Sequence, residues 1–162
     1  MRWGLGWVVV AGCWMNGDEP APKTPGAVAP APKPPPAPAY DFKMTRTQCL
    51  GRCPAYEISV DHDGHALWNG IANVQVVDEV KREVPAADVQ KLVRAADAAH
   101  FFELDSGKKS SCTDTPHAIV TVTRDGKAHT VNDAQCGNSD PKLVELEKLI
   151  DDVAETPELI GH

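Results

Sequence analysis

From Tyr56 onward the chain shows two kinds of apolar spacing. Alternating positions predict strands, and apolar residues three and four apart predict helices. Tyr56, Ile58 and Val60 repeat with a period of two and lead into Asp63-Gly64, after which a second run extends to Gly70. Asp-Gly between alternating runs is the strongest short-range hairpin signal, because a two-residue type I′ turn needs positive φ at both central residues. With Asp63 and Gly64 as that pair, Val60 faces Leu67, and Tyr56 and Ile58 share their face. Residues 74–84 mix valines with charges and predict a further strand or strand pair. Residues 85–99 predict a helix, since Val89, Leu92, Val93 and Ala96 fall on one face. Phe101, Phe102 and Leu104 are placed to plug the core where that helix ends. A second hairpin, 118–123 with 128–132, turns at Asp125-Gly126, which sets Val120 opposite Val131 and Val122 opposite His129. A last helix starts at Asp140-Pro141, a favoured N-cap followed by a favoured first helical residue. Its apolar stripe is Leu143, Leu146, Ile150 and Val153. The order is therefore β-β-β-α-β-β-α. Hairpin connections predict an α+β fold: a mainly antiparallel sheet with two helices packed on one face.

That pattern occupies residues 40–156, one domain of ordinary size, with 157–162 left as a tail. Ahead of it lies a different polymer. Nine prolines stand between Asp18 and Ala39, interleaved with alanine. Proline removes backbone donors and fixes φ, so neither helix nor sheet propagates, and the segment is expected to act as an extended, semi-rigid spacer. The spacer reading is preferred to a ligand for a proline-binding domain, because no basic cluster flanks the prolines. At the start of the chain, Arg2 precedes a short apolar run, 3–10, and Ala11 and Gly12 are small. The run is about half of the roughly 20 residues needed to span a bilayer. It has the layout of a secretory signal. Val10-Ala11-Gly12-Cys13 resembles the lipobox of bacterial lipoproteins. The resemblance implies a signal peptide over residues 1–12, cleavage before Cys13, lipid on the Cys13 thiol and a tether over 13–39. Trp rather than Asp at position 14 implies sorting to the outer membrane.

Beyond Cys13 there are four cysteines, an even number that implies disulfides in an exported domain. Extending the register of the second hairpin backward puts Cys112 opposite Ser139, close to Cys136. Cys49 and Cys53 flank Gly51 and can close a small loop. The expected pairs are Cys49–Cys53 and Cys112–Cys136. A four-cysteine zinc site is the weaker alternative, since Cys112 and Cys136 are too far apart to form a compact knuckle. Redox use of Cys49 and Cys53 is also weaker, because their spacing is longer than C-x-x-C and their context is a loop before a strand. Asp61, His62, Asp63 and His65 cluster at one hairpin tip, and His62 and His65 flank a two-residue turn as a pair. They are the candidates for weak metal binding, against the alternative of a solvated polar turn. No G-x-S-x-G elbow, H-E-x-x-H pair or phosphate loop occurs, and no two carboxylates stand out as an acid–base pair.

Cys49-Leu-Gly-Arg-Cys53-Pro54-Ala-Tyr56, the Asp-Gly hairpin ending at Gly70, Phe101-Phe102 and Thr113-Asp114 together resemble a bacterial domain family. That family is seen in many envelope lipoproteins and marked by C-x-G-x-C-P-x-Y. The resemblance spans roughly Phe42 to Val153 and implies domain boundaries rather than an activity. In physical terms Gly51 permits the tight loop, Pro54 fixes its exit and Tyr56 begins a strand.

Charge narrows the partners. The net is −7, or −8 once Arg2 leaves with the leader. Asp18, Glu19, Lys23 and Lys33 cancel within the tether, so the domain carries the whole charge. Such a surface is unsuited to nucleic acid and is repelled by anionic lipid. The expectation is a lipid-anchored cell-envelope protein, joined to the membrane through Cys13, whose non-catalytic domain binds an envelope protein or small ligand without a cofactor. The alternative is a metal-binding or thiol-redox protein using Cys49/Cys53 or the 61–65 tip.

Overall fold

The computed structural model describes residues 38–106 and 112–161. The leader, Cys13 and the tether up to residue 37 lie outside the described residues. Six strands form one antiparallel sheet: β1 (Tyr40–Arg46), β2 (Ala55–Val60), β3 (His65–Ala72), β4 (Glu79–Glu83), β5 (Ala118–Arg124) and β6 (Lys127–Asp133). Their spatial order is β4-β3-β2-β1-β5-β6. Helices α1 (Ala86–Ala98) and α2 (Pro141–Val153) pack together over one face, and the short α3 (Thr156–Ile160) follows α2. The α+β class and the order of elements agree with the sequence reading. To that order the structure adds β1 at the start and α3 at the end. Among the described residues no helix is long and apolar enough to cross a membrane.

β1 is the central strand. Tyr40, Phe42 and Met44 alternate with Asp41, Lys43 and Thr45, so one face is apolar and buried and the other is polar. β1 pairs with β2 on one side, Phe42 opposite Val60, and with β5 on the other, Phe42 opposite Val122. The two hairpins are therefore joined by a strand that belongs to neither. Below it the core runs from Trp68 and Ile58 through Phe42 and Met44 to Val120 and Val122. The sheet is closed by Val89, Leu92 and Ala96 of α1 and by Leu143, Leu146 and Ile150 of α2. Phe101 plugs the end of α1, with Phe102 and Leu104 packed against the same core. Asp140 caps α2 as expected, its side chain accepting hydrogen bonds from the Lys142 and Leu143 amides. α3 docks through buried Leu159, and the Leu159 carbonyl accepts hydrogen bonds from the Gln75 and Val76 amides. The folded chain thus continues past Thr156, into residues read from the sequence as a tail.

The two Asp-Gly turns differ. In the second hairpin both Asp125 and Gly126 have positive φ, and Val120 faces Val131 and Val122 faces His129, as the type I′ reading requires. In the first hairpin only Gly64 has positive φ, and Val60 faces Ala66 rather than Leu67. Asp61 is the cause. Its Oδ1 accepts hydrogen bonds from the Asp63 amide at 3.0 Å and the His65 amide at 2.8 Å, and its own amide donates to the His65 carbonyl. This side-chain capture stabilises a three-residue loop with a left-handed Gly64. The one-residue difference exchanges the faces of β3. Trp68 enters the core, stacked on Tyr56 at 4.4 Å between ring centroids, and Leu67 moves to the open face.

The two turn glycines are predicted to respond differently to alanine. A Cβ on Gly64 collides with the Val84 carbonyl, which is fixed because the Val84 amide donates to the Gly64 carbonyl. A Cβ on Gly126 meets nothing within 4 Å. Denaturant unfolding is expected to give a loss of about 1 kcal/mol for Gly126→Ala and about 3 kcal/mol for Gly64→Ala. Equal losses would mean that contact with β4 does not hold the first turn.

Candidate functional site

The four cysteines among the described residues pair as Cys49–Cys53 and Cys112–Cys136, with Cα separations of 5.6 Å and 6.2 Å. The first closes a small ring whose tip, Leu50 to Arg52, faces solvent; Leu50 is 83% exposed. The ring is held to the neighbouring segment by the Leu50 amide on the Asp114 carbonyl, and Asn73 Nδ2 donates to the Cys53 carbonyl. The second disulfide ties the chain before β5 to the chain after β6, at the open end of the second hairpin. Thr115 Oγ1 adds a hydrogen bond to the Ala134 carbonyl there. Each cysteine thus has a structural use.

The hairpin tip does not present its histidines as a pair. The three-residue loop sets Asp61, not His62, across from His65. His62 Nδ1 bonds Asp41 Oδ1 on β1 at 2.9 Å, and His65 Nδ1 bonds Asp61 Oδ2 at 2.9 Å. Each imidazole is held by a different carboxylate, and those contacts push the pKa of both histidines up. Among the described residues no group of three or more His, Cys, Asp or Glu is arranged to hold a metal ion.

The tip borders a larger feature. α1 and α2 share one face, and among the described residues no helix covers the opposite face of the sheet. The register aligns Lys81, Leu67, Ser59, Lys43, Thr121 and Thr130 in one row across all six strands. On one side of that row run Glu79, Asn69, Glu57, Thr45, Ile119 and Asn132. On the other lie Glu83, His65, Asp41 and Thr123. A groove of about 520 Å³ lies over β4, β3, β2, β1 and β5. Leu67 and the methylene stems of Lys43 and Lys81 give it an apolar floor, and hydroxyls of Ser59, Thr121 and Thr123 give it hydrogen-bonding groups. Lys43 pairs with Glu57 at 3.3 Å, with more than half of its side chain still exposed. This surface can bind a ligand by shape, hydrogen bonds and charge.

A second cluster is buried beneath the far end of β1. Arg46 donates to Asp151 Oδ2 at 2.8 Å and to Glu147 Oε2 at 3.3 Å. The Tyr56 hydroxyl donates to Asp151 Oδ1 at 2.7 Å. Gln135 Nε2 also donates to Glu147 Oε2, and Ser139 Oγ donates to Asp133. Burial and the adjacent Asp151 carboxylate push the Tyr56 hydroxyl well above its ordinary pKa, so it stays a donor. Burial opposes the Arg46 charge, but Asp151 and its neighbours more than offset it. The sequence reading passed over Glu147. The signal was present: Leu143, Leu146, Glu147 and Ile150 fall at i, i+3, i+4 and i+7, so the carboxyl sits inside the apolar stripe.

Both disulfides are predicted to stabilise, the longer loop more. Replacing Cys112 and Cys136 by serine is expected to cost about 3 kcal/mol, and replacing Cys49 and Cys53 about 2 kcal/mol, in urea unfolding. Intact mass of the oxidised chain, compared with its reduced form, is expected to be lower by about four hydrogens. Four alkylatable thiols besides Cys13 in material from an oxidising compartment would overturn both pairings.

Comparison with curated proteins gives no match. The family model described as a domain of unknown function, DUF6438, matches residues 41–154, from the second residue of β1 to Ala154, which follows α2, and the chain belongs to that family.

Proposed function

We propose that the chain is a lipid-anchored cell-envelope protein whose domain is a non-catalytic binding module, and that the open face of the sheet is its binding surface. The observation that carries this reading is the groove across β4, β3, β2, β1 and β5, with Lys81, Leu67, Ser59, Lys43 and Thr121 aligned along it. Its volume falls in the range of sites for small ligands or for a partner's side chains. Among the described residues the helices occupy the other face, so none of them covers the groove. The lipobox-like Val10 to Cys13 supports the anchor, and more than one acyl chain on Cys13 holds a membrane stably where a single chain does not. The proline-rich segment between Cys13 and β1 sets the domain off the lipid surface, which suits its negative charge. Trp14 in place of aspartate points to the outer membrane. The partner is an envelope protein or a small ligand of that compartment.

Two measurements test this. Metabolic labelling with an alkyne fatty acid is expected to tag the chain and bring it into the membrane fraction, and Cys13→Ser is expected to abolish both. An unlabelled chain in the soluble fraction would remove the anchor from the reading. A photo-crosslinking residue placed at Leu67 on the open face is expected to give discrete adducts in intact cells, while one at exposed Gln90 on α1 gives none. Adducts from α1 alone would assign binding to the helix face instead. Leu67→Arg is expected to abolish the adducts formed from a second crosslinking position in the groove, Lys43, with a stability change within about 0.5 kcal/mol.

A further inference from the structure

Helix α2 buries a carboxyl group in the middle of its apolar stripe. Glu147 is 1% exposed. Its Oε2 is held by Arg46 Nη1 at 3.3 Å and Gln135 Nε2 at 3.2 Å, while Oε1 has no hydrogen-bond partner among the described residues. Asp133, the last residue of β6, is 9% exposed and has the same asymmetry. Its Oδ1 accepts from Ser139 Oγ at 2.7 Å and from the Gln135 amide at 3.4 Å, while Oδ2 has no partner among the described residues. Gln135 bridges the two carboxyl groups, its amide donating to Asp133 Oδ1 and its Nε2 to Glu147 Oε2. A buried polar atom left unpaired is costly, and two buried carboxylates side by side are costlier still. One proton between Glu147 Oε1 and Asp133 Oδ2 satisfies both orphaned oxygens at once.

We propose that Glu147 and Asp133 share a single proton, and that this proton is a pH latch fastening the segment 134–139, with Cys136 in it, to helix α2.

The surroundings account for the latch. The charged and titratable groups facing the pair are Arg46 from β1, Tyr56 from β2, Asp133 from β6 and Asp151 from α2 itself. With the shared proton, Arg46, Asp151, Asp133 and Glu147 sum to one negative charge (+1 −1 −1 +0); without it they sum to two (+1 −1 −1 −1), around one guanidinium already divided between two partners. Burial raises the Glu147 pKa to about 7, with Arg46 opposing the rise and Asp133 adding to it. The segment it fastens is suited to release. Gln135 and Gly137 both have positive φ, so the backbone turns there without helix or strand, and Gln135 and Ser139 hold to α2 and β6 through these same carboxyl groups. A folded-state value raised above the ordinary 4.5 means that the closed form is favoured at low pH, and that this advantage is lost as pH rises through about 7. The disulfide at Cys136 limits the opening to this segment, so the rest of the domain stays folded.

The test uses the full chain. Carboxyl carbon-13 titration is expected to show Glu147 changing protonation near pH 7. If release returns Glu147 to an ordinary carboxyl, local opening of 134–139 rises roughly 30-fold between about pH 5.5 and pH 8.5. Amide hydrogen exchange, corrected for its intrinsic pH dependence, reads that change. Glu147→Gln keeps the shape and donates to Asp133 without a titrating proton, so the segment's protection is expected to become independent of pH. A Glu147 signal that titrates below about pH 5 in the unmodified chain would overturn the latch, whatever the variant does. So would an unmodified chain whose segment 134–139 shows no change in protection over that range.

Discussion

The sheet depends on one strand placed between two hairpins. Among the described strands β1 is the one that pairs with both β2 and β5, and through its ladders two locally closed units become one six-stranded surface. Its buried side chains, Tyr40, Phe42 and Met44, lie at the middle of the core under both long helices. Without β1 each hairpin would present an unpaired edge in the centre of the molecule. Its pairing with β5 joins residues far apart in the chain, so the hairpins are the local structures and their union is the non-local step.

The same strand sets the electrostatics. Arg46 closes β1 and carries a guanidinium under the helices, where Glu147 and Asp151 of α2 receive it and Tyr56 of β2 completes the set. A buried charge network is expensive unless every partner is present, so it constrains where α2 sits along the sheet more than it adds net stability. The network and the groove lie on opposite faces. The buried face carries the packing and the proton chemistry, and the open face carries the groups available to another molecule. The disulfides work at the margins of this arrangement, one closing a loop ahead of β2 and the other fastening the open end of the second hairpin.

Much of this was legible from local patterns. Asp125-Gly126 specified a type I′ turn and with it the whole register of β5 and β6, because both residues take the positive φ that the turn requires. Asp140-Pro141 marked the start of α2. The first hairpin was misread by one residue because Asp61, two positions before Asp63-Gly64, captures the turn amides with its side chain. β1 was overlooked although Tyr40, Phe42 and Met44 alternate cleanly, since no Asp-Gly turn stands next to it and one of its two partners, β5, is remote in sequence. Glu147 was overlooked because a single carboxyl among leucines is read by type, while its burial is decided by position on the helix.

The sequence by itself determined the class of fold, the hairpins and helices, the pairing of the cysteines and the sign of the surface charge. Each of these follows from spacing over a few residues or from counting. The tertiary structure alone decided which strand is central, which face of β3 meets the core, and that Arg46, Tyr56, Asp133 and Glu147 share one buried site. These depend on strand order and register between distant segments, where a shift of one residue exchanges core and surface. The groove belongs to the same class of property: Lys81, Leu67, Ser59, Lys43 and Thr121 come from five strands and have no common pattern in the chain until the sheet aligns them.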